Sequence, residues 1–231
     1  LVLLTDLGNT TYLTALLETQ RSEDATTAHT LMLDAIDALV RWQAASRPDV
    51  LPAYDAALLR RELDLFPDWY ITRHLQHTLT DTQRASLERM FATLISANLA
   101  QGQVFVHRDF MPRNLMVSTP NPGILDFQDA VFGPIAYDVA SLMRDAFISW
   151  DEVRVLDWTI RYWERARAAQ LPVPADFGVF WRDVEWMGLQ RHLKVLGIFA
   201  RINYRDGKPH RIHSIALVAM MLRSTCCTVS R

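Results

Sequence analysis

The sequence predicts an α+β fold that is mainly helical and interrupted by a short β-hairpin. Three observations carry this. Long stretches repeat apolar residues at helical spacing. Short apolar runs flanked by turn residues cluster between residues 104 and 126. Half of the 231 residues are apolar, enough for one good core, or for one large and one small unit.

Taken in order, residues 27 to 46 place Leu31, Ala35, Leu39 and Trp42 on one helical face, and Pro48 closes that helix. Residues 47–56, with Pro48 and Pro52, read as a mobile connection to a substrate-binding segment. Thr80 with Gln83 forms a capping-box pattern for a helix whose Leu87, Met90, Phe91, Leu94 and Ile95 share a face, with Gly102 as the stop. Val104-Phe105-Val106 is a strand that ends at His107. Asn114 to Val117 resumes the apolar pattern, and Thr119-Pro120-Asn121-Pro122-Gly123 turns the chain so that Ile124-Leu125 returns Asp126 beside Asn114. Ser149 with Glu152 caps a helix through Val155, Trp158, Ile160 and Trp163 that stops before Pro172 and Pro174. Residues 176 to 204 read as one long helix, or as two broken near Gly188 or Gly197.

One stretch names a reaction. His107-Arg108-Asp109-Phe110-Met111-Pro112-Arg113-Asn114 has the spacing H-x-D-x-x-x-x-N, and Asp126-Phe127-Gln128 follows twelve positions later. Phosphoryl transfer has a loose transition state, so a protein mainly aligns the hydroxyl nucleophile and neutralises phosphate charge. Asp109 stands where a carboxylate would orient the acceptor and take its proton. Asn114 and Asp126 supply hard oxygen donors for a magnesium ion held against ATP phosphates. His107 shapes the loop.

Composition excludes other classes. The balance of 24 basic and 26 acidic residues offers no footprint for nucleic acid or an anionic membrane. The tail's longest apolar stretch, residues 215 to 222, is too short to span a bilayer. Cys226 and Cys227 are the only cysteines; being adjacent, they form no disulfide framework, and a reducing cytoplasm follows.

The stretch His107 to Asn114, the segment Ile124 to Ala130 and the segment Gly133 to Leu142 resemble the aminoglycoside phosphotransferase family of small-molecule kinases. Within it, Phe127-Gln128-Asp129-Ala130, the segment Arg60 to Tyr70 and the segment Leu193 to Arg201 resemble the anomeric kinases of N-acetylated amino sugars. The resemblance covers residues 1–209 and implies a protein-kinase-like fold, represented here mainly by its helical C-terminal lobe. It also implies ATP as cosubstrate, Mg2+, and a sugar as acceptor. Residues 1–8 would then be the last strand of an N-terminal lobe and the hinge, with Thr5, Asp6 and Leu7 lying against adenine. Asp138 would be a buried anchor for the catalytic loop.

Two departures stand out. Such a fold needs a Gly-rich phosphate loop and a strand lysine paired with a helix glutamate. The eight glycines here form no G-x-G, and Lys194 and Lys208 are the only lysines. The expectation is a chain lacking the N-terminal lobe that ATP binding requires, so that alone it is inactive. Residues 210–231 read as a divergent tail without an assigned role.

Glu62, Asp64, Asp129 and Arg113 are the candidate substrate ligands: the acids for sugar hydroxyls, or else solvated helix surface, and Arg113 for a γ-phosphate or a substrate carboxylate. Trp69, Trp181 and Trp186 suit sugar stacking or core packing. The pairs His74/His77 and His210/His213 lack a third nearby ligand and read as surface or core histidines. The alternatives to an amino-sugar kinase are an aminoglycoside or other small-alcohol kinase and a catalytically dead binding module.

Overall fold

The computed structural model describes residues 5–206; residues 1–4 of the expected strand and hinge, Lys208, His210, His213, the two cysteines and the expected divergent tail lie outside them. Among the described residues are seven α-helices and four short strands. Helices α1 (Tyr12–Arg21) and α2 (Ala25–Ala44) precede α3 (Ala56–Leu65), which runs on into a π-helical segment, Phe66–His74. After α4 (Asp81–Leu99) come β1 (Gln103–Val106), a 3₁₀ turn (Pro112–Asn114), β2 (Leu115–Met116), β3 (Gly123–Ile124) and β4 (Val131–Pro134). Helices α5 (Ala136–Met143), α6 (Glu152–Ala168) and α7 (Phe177–Asp206) complete the order.

Sequence patterning explains most of this. On α2, Leu31, Met32, Ala35, Ile36 and Leu39 are buried and join the main core with Val104 and Val106 of β1, Val139 and Leu142 of α5, and Trp158 and Tyr162 of α6. The capping box at Thr80 forms in both directions. Phe91 and Leu94 of the predicted α4 face bury against Leu63, Leu189 and Leu193, with Leu87, Met90 and Ile95 packed around them.

Three expectations are corrected, and one open alternative is decided. Asp151, not Ser149, caps α6, its carboxylate accepting the Arg154 N–H at 2.9 Å. Asp24 caps α2, so the helix starts two residues before Thr27. Residues 47–56 are not a mobile tether along their whole length: Tyr54 N–H donates to the Phe132 carbonyl and Phe132 N–H to the Pro52 carbonyl, each at 2.8 Å, and Tyr54 is buried. Helix α7 runs unbroken for 30 residues. A Cβ at Gly197 would sit 2.4 Å from the backbone carbon of Leu65, so this glycine permits close helix contact and marks no break.

The strands form two antiparallel pairs, β1 with β4 and β2 with β3. The hairpin β2–β3 is the one the sequence predicts, with Leu115 opposite Ile124. Strand β4 was not foreseen; it pairs along β1 from Gln103–Pro134 to Val106–Val131. These two ladders frame the loop of residues 107 to 114.

Candidate active site

The loop leaves β1 at His107, whose ring is fully buried, edge-on to Trp42 and Phe110 at centroid distances of 5.6 and 5.8 Å. Burial lowers its pKa, opposed by the fields of Asp109 and Asp126. Neither ring nitrogen makes a hydrogen bond of normal geometry. The ring is thus wedged between aromatic side chains at the start of the loop.

Asp138, from α5, is completely buried and accepts the backbone N–H groups of His107 at 2.7 Å and Arg108 at 3.0 Å. Its burial pushes the carboxyl up to about 7, against the pull of those N–H donors and of Arg191. Arg108 holds φ at +72°, a left-handed backbone that non-glycine residues adopt only when their surroundings compel it. Its guanidinium reaches Glu62 of α3 at 2.7 Å.

Glu62 is the hub of a buried polar cluster that sequence reasoning missed. The same carboxylate oxygen that meets Arg108 lies 2.8 Å from Lys194 Nζ on α7. The other oxygen accepts from Tyr54 Oη and from Gln190 Nε2. Burial opposes ionisation, yet Lys194, Tyr54 and Arg108 together hold the carboxyl down to about 2. Its hydrogen-bonding capacity is thus committed within the protein. Asp64 pairs with Arg60 at 2.7 Å on the helix surface, and Asp129 is exposed, its carbonyl accepting from Arg108 at 3.3 Å. Among the described residues, Glu62 lines a groove with Arg61, Arg108 and Lys194 that Asp64 and Asp129 do not line.

The hairpin does bring the two proposed metal ligands together. Leu125 N–H donates to the Asn114 carbonyl at 3.0 Å, and Asn114 Nδ2 lies 3.5 Å from Asp126 Oδ2. Asn114 Nδ2 also donates to the Asp109 carbonyl at 2.9 Å, which leaves its Oδ1 as an available hard donor. Asp126 sits at φ +69°, a conformation that aspartate tolerates better than most residues. An amide oxygen and a carboxylate on facing arms suit a magnesium ion whose shell is completed by phosphates and water. Among the described residues no group of three or more His, Cys, Asp or Glu side chains could hold a metal by itself.

Asp109 faces a cavity of about 150 Å³ lined also by Arg108, Arg113, Asp145, Arg191 and Lys194. Of Thr5, Asp6 and Leu7, Leu7 lies against the hairpin: a Cβ on Gly123, at the start of β3, would meet it at 2.9 Å, while the Asp6 carboxylate accepts the Gly8 N–H at 2.9 Å. Of the candidate tryptophans, Trp181 packs on Phe177 and Trp186 against the α4 cluster, while Trp69 is half-buried. His74 contacts Tyr204 and Tyr70, and His77 lies near Gln83. No helix among the described residues is long and apolar enough to cross a membrane.

Arg191, Asp145 and Lys194 had no local signature in the sequence beyond the resemblance of the segment Leu193 to Arg201; they converge only through the packing of α7 on α5 and α3.

Comparison with known proteins identifies the family and the fold. The chain is 57% identical over 208 residues to the N-acetylmuramate/N-acetylglucosamine kinase of Neisseria meningitidis. It is 53% identical over 214 residues to the protein of that name in Pseudomonas putida. The matches take in 90% and 93% of this chain, and in both cases the chain spans only 61% of the relative's length. Solved structures that share the fold include choline kinase LicA of Streptococcus pneumoniae, with TM-score 0.57, 13% identity and coverage of 86% of this chain and 65% of that one. Another is aminoglycoside 2'-phosphotransferase-IIIa in its GDP complex, with TM-score 0.54, 17% identity and coverage of 86% and 62%. The model of the phosphotransferase enzyme family matches residues 2–173, the span that holds Asp109, Asn114, Asp126 and Asp138, and the chain belongs to that family.

Proposed function

We propose that this chain is the acceptor-binding and phosphoryl-transfer portion of an ATP- and Mg2+-dependent kinase that phosphorylates the anomeric hydroxyl of an N-acetylated amino sugar. The observation that carries it is the position of Asp109. Asp109 lines the cavity while its backbone carbonyl accepts from Asn114 Nδ2, which lies 3.5 Å from Asp126 Oδ2.

MgATP bound at the hairpin would supply the γ-phosphoryl group and the charge neutralisation. The chain's own residues do the rest. Asp109 orients the sugar hydroxyl toward the hairpin and accepts its proton as the bond to phosphorus forms. Asp138 holds the loop from below through the His107 and Arg108 N–H groups, and Glu62 holds it from the side through the Arg108 guanidinium. Thr5, Asp6 and Leu7 form the edge along which the adenine lies. Arg113 faces the acceptor cavity. A polycationic aminoglycoside would meet Arg113 and Arg191 there, which disfavours that acceptor class.

The test is ADP release by the longest in-frame product of the gene, with N-acetylmuramate, N-acetylglucosamine and kanamycin as acceptors. Turnover on the amino sugars that Asp109→Asn lowers by about 10²-fold or more is the expected result. Turnover on kanamycin alone would overturn the acceptor, and undiminished turnover in the variant would overturn the role of Asp109.

A further inference from the structure

Two guanidinium groups at the cavity beside Asp109 form no ion pair among the described residues, although the fields of Asp138 and Asp145 reach Arg191 and that of Asp145 reaches Arg113. Arg191, on α7, is buried to 7% exposure, its Nε donates to Ser141 Oγ at 2.9 Å, and its cation lies over the Tyr137 ring, 5.2 Å from the centroid. Its two terminal nitrogens take no hydrogen-bond or ion-pair partner among the described residues, yet they are not among the sealed polar atoms. Arg191 itself lines the open cavity. Arg113 enters the same cavity from the 3₁₀ turn, stacked over Phe147 at 4.3 Å from the centroid, and it too forms no ion pair among the described residues.

The remaining lysine and arginines around the cavity are already engaged. Arg108 and Lys194 are neutralised by Glu62, and Arg144 by Glu152 and Glu185. Asp145 is the buried acid whose field reaches both free arginines. It accepts the Phe147 N–H at 2.8 Å and makes no ion pair with either. Burial also raises its pKa, which weakens its hold on their charge. Asp109, the other acid lining the cavity, is committed to the acceptor hydroxyl.

We propose that Arg113 and Arg191 form a carboxylate receptor in the acceptor cavity, so that the site selects amino sugars bearing an acidic side arm over neutral ones. This rests on the sugar-kinase reading above. Guanidinium groups grip carboxylates through paired parallel N–H donors. Here each plane is held in advance by an aromatic ring, so little side-chain freedom remains to be lost on binding. The two sugars in the relatives' names differ in this respect: N-acetylmuramate carries a lactyl carboxylate and N-acetylglucosamine does not.

The experiment measures KM for both sugars, at saturating ATP, in the longest in-frame product and in its Arg113→Gln and Arg191→Gln variants. Alongside it, calorimetry without ATP measures the binding of N-acetylmuramate, of its lactyl amide and of N-acetylglucosamine to the unaltered protein. The inference expects the unaltered protein to bind the acid more tightly than the amide by about tenfold or more. It also expects each substitution to raise KM for the acidic sugar about tenfold more than for the neutral one. Equal binding of acid and amide would overturn it, and so would variants that weaken both sugars alike or disturb only ATP; in these cases the sugar-kinase reading stands. Failure of every sugar to bind or turn over would overturn both. The amide comparison uses no variant, so it decides the matter even where a substitution prevents folding.

Discussion

Glu62 on α3 and Arg108 in the loop between β1 and β2 meet at 2.7 Å, so the residue immediately before Asp109 is tied to a helix residue 46 positions earlier in the chain. The pair is largely enclosed, and Lys194 shares the same carboxylate oxygen. Removing the negative charge would leave two cations with no counter-charge in a place that water reaches poorly.

Glu62→Gln is therefore expected to cost about 3–5 kcal/mol of stability, measured by urea unfolding at neutral pH. The sign of its pH dependence is fixed by the depressed carboxyl, at about 2 against an ordinary 4.5. The stabilisation is complete above pH 4.5 and lost as pH falls toward 2. The gap between the unaltered protein and the variant should narrow over that window, and a gap independent of pH would contradict the assignment.

Asp138 has the opposite sign. Its carboxyl is raised from 3.8 to about 7, so the folded state holds a proton that the unfolded chain has released. Its contribution to stability falls as pH rises from about 4 to about 7 and is level above, by up to about 1.4 kcal/mol per pH unit. Thermal melts of Asp138→Asn should lack that part of the slope. Asp138→Ala leaves the N–H groups of His107 and Arg108 unsatisfied, at about 1–3 kcal/mol each, and should abolish turnover although Asp138 touches no substrate.

Asp126→Asn keeps a residue type that accepts the left-handed backbone but gives up the negative charge. The half-saturating Mg2+ concentration for turnover should rise about tenfold or more, with melting temperature little changed. An unaltered Mg2+ requirement would remove Asp126 from the metal site.

Two glycines of α7 should respond oppositely to alanine. At Gly188 the nearest atom to a new Cβ is Arg144 Cγ at 3.9 Å, so Gly188→Ala gains helix propensity and stabilises by up to about 1 kcal/mol. At Gly197 the Leu65 backbone stands 2.4 Å away, and Gly197→Ala should lower the melting temperature through overpacking. Equal shifts in both variants would refute the close contact between α7 and the end of α3.

The sequence showed what is local. The loop spacing, the β2–β3 hairpin, the Thr80 capping box and the apolar face of α4 each depend on residues within one or two turns of each other. Strand β4 was missed because Val131-Phe132-Gly133-Pro134 contains the two residues that usually mark a turn; it is a strand because β1 and Pro52–Tyr54 lie on either side of it. Glu62 read equally well as a sugar ligand or as surface because its partners are remote in sequence, Gln190 lying 128 residues away. Residues 176 to 204 read as one helix or as two because a glycine's signal is the same whether the chain bends there or another backbone passes close by, as Leu65 does at Gly197.

Helix α7 works as a ruler. Its 30 residues, about 45 Å at 1.5 Å per residue, present in succession Glu185 to Arg144, Gln190 to Glu62, Arg191 to the cavity, Lys194 to Glu62 and Gly197 to Leu65. Every one of these depends on angular phase, and one inserted residue turns all that follows by about 100°. A single-codon insertion before Gln190 would thus rotate the Glu62 clamp, the cavity arginine and the close contact out of register together.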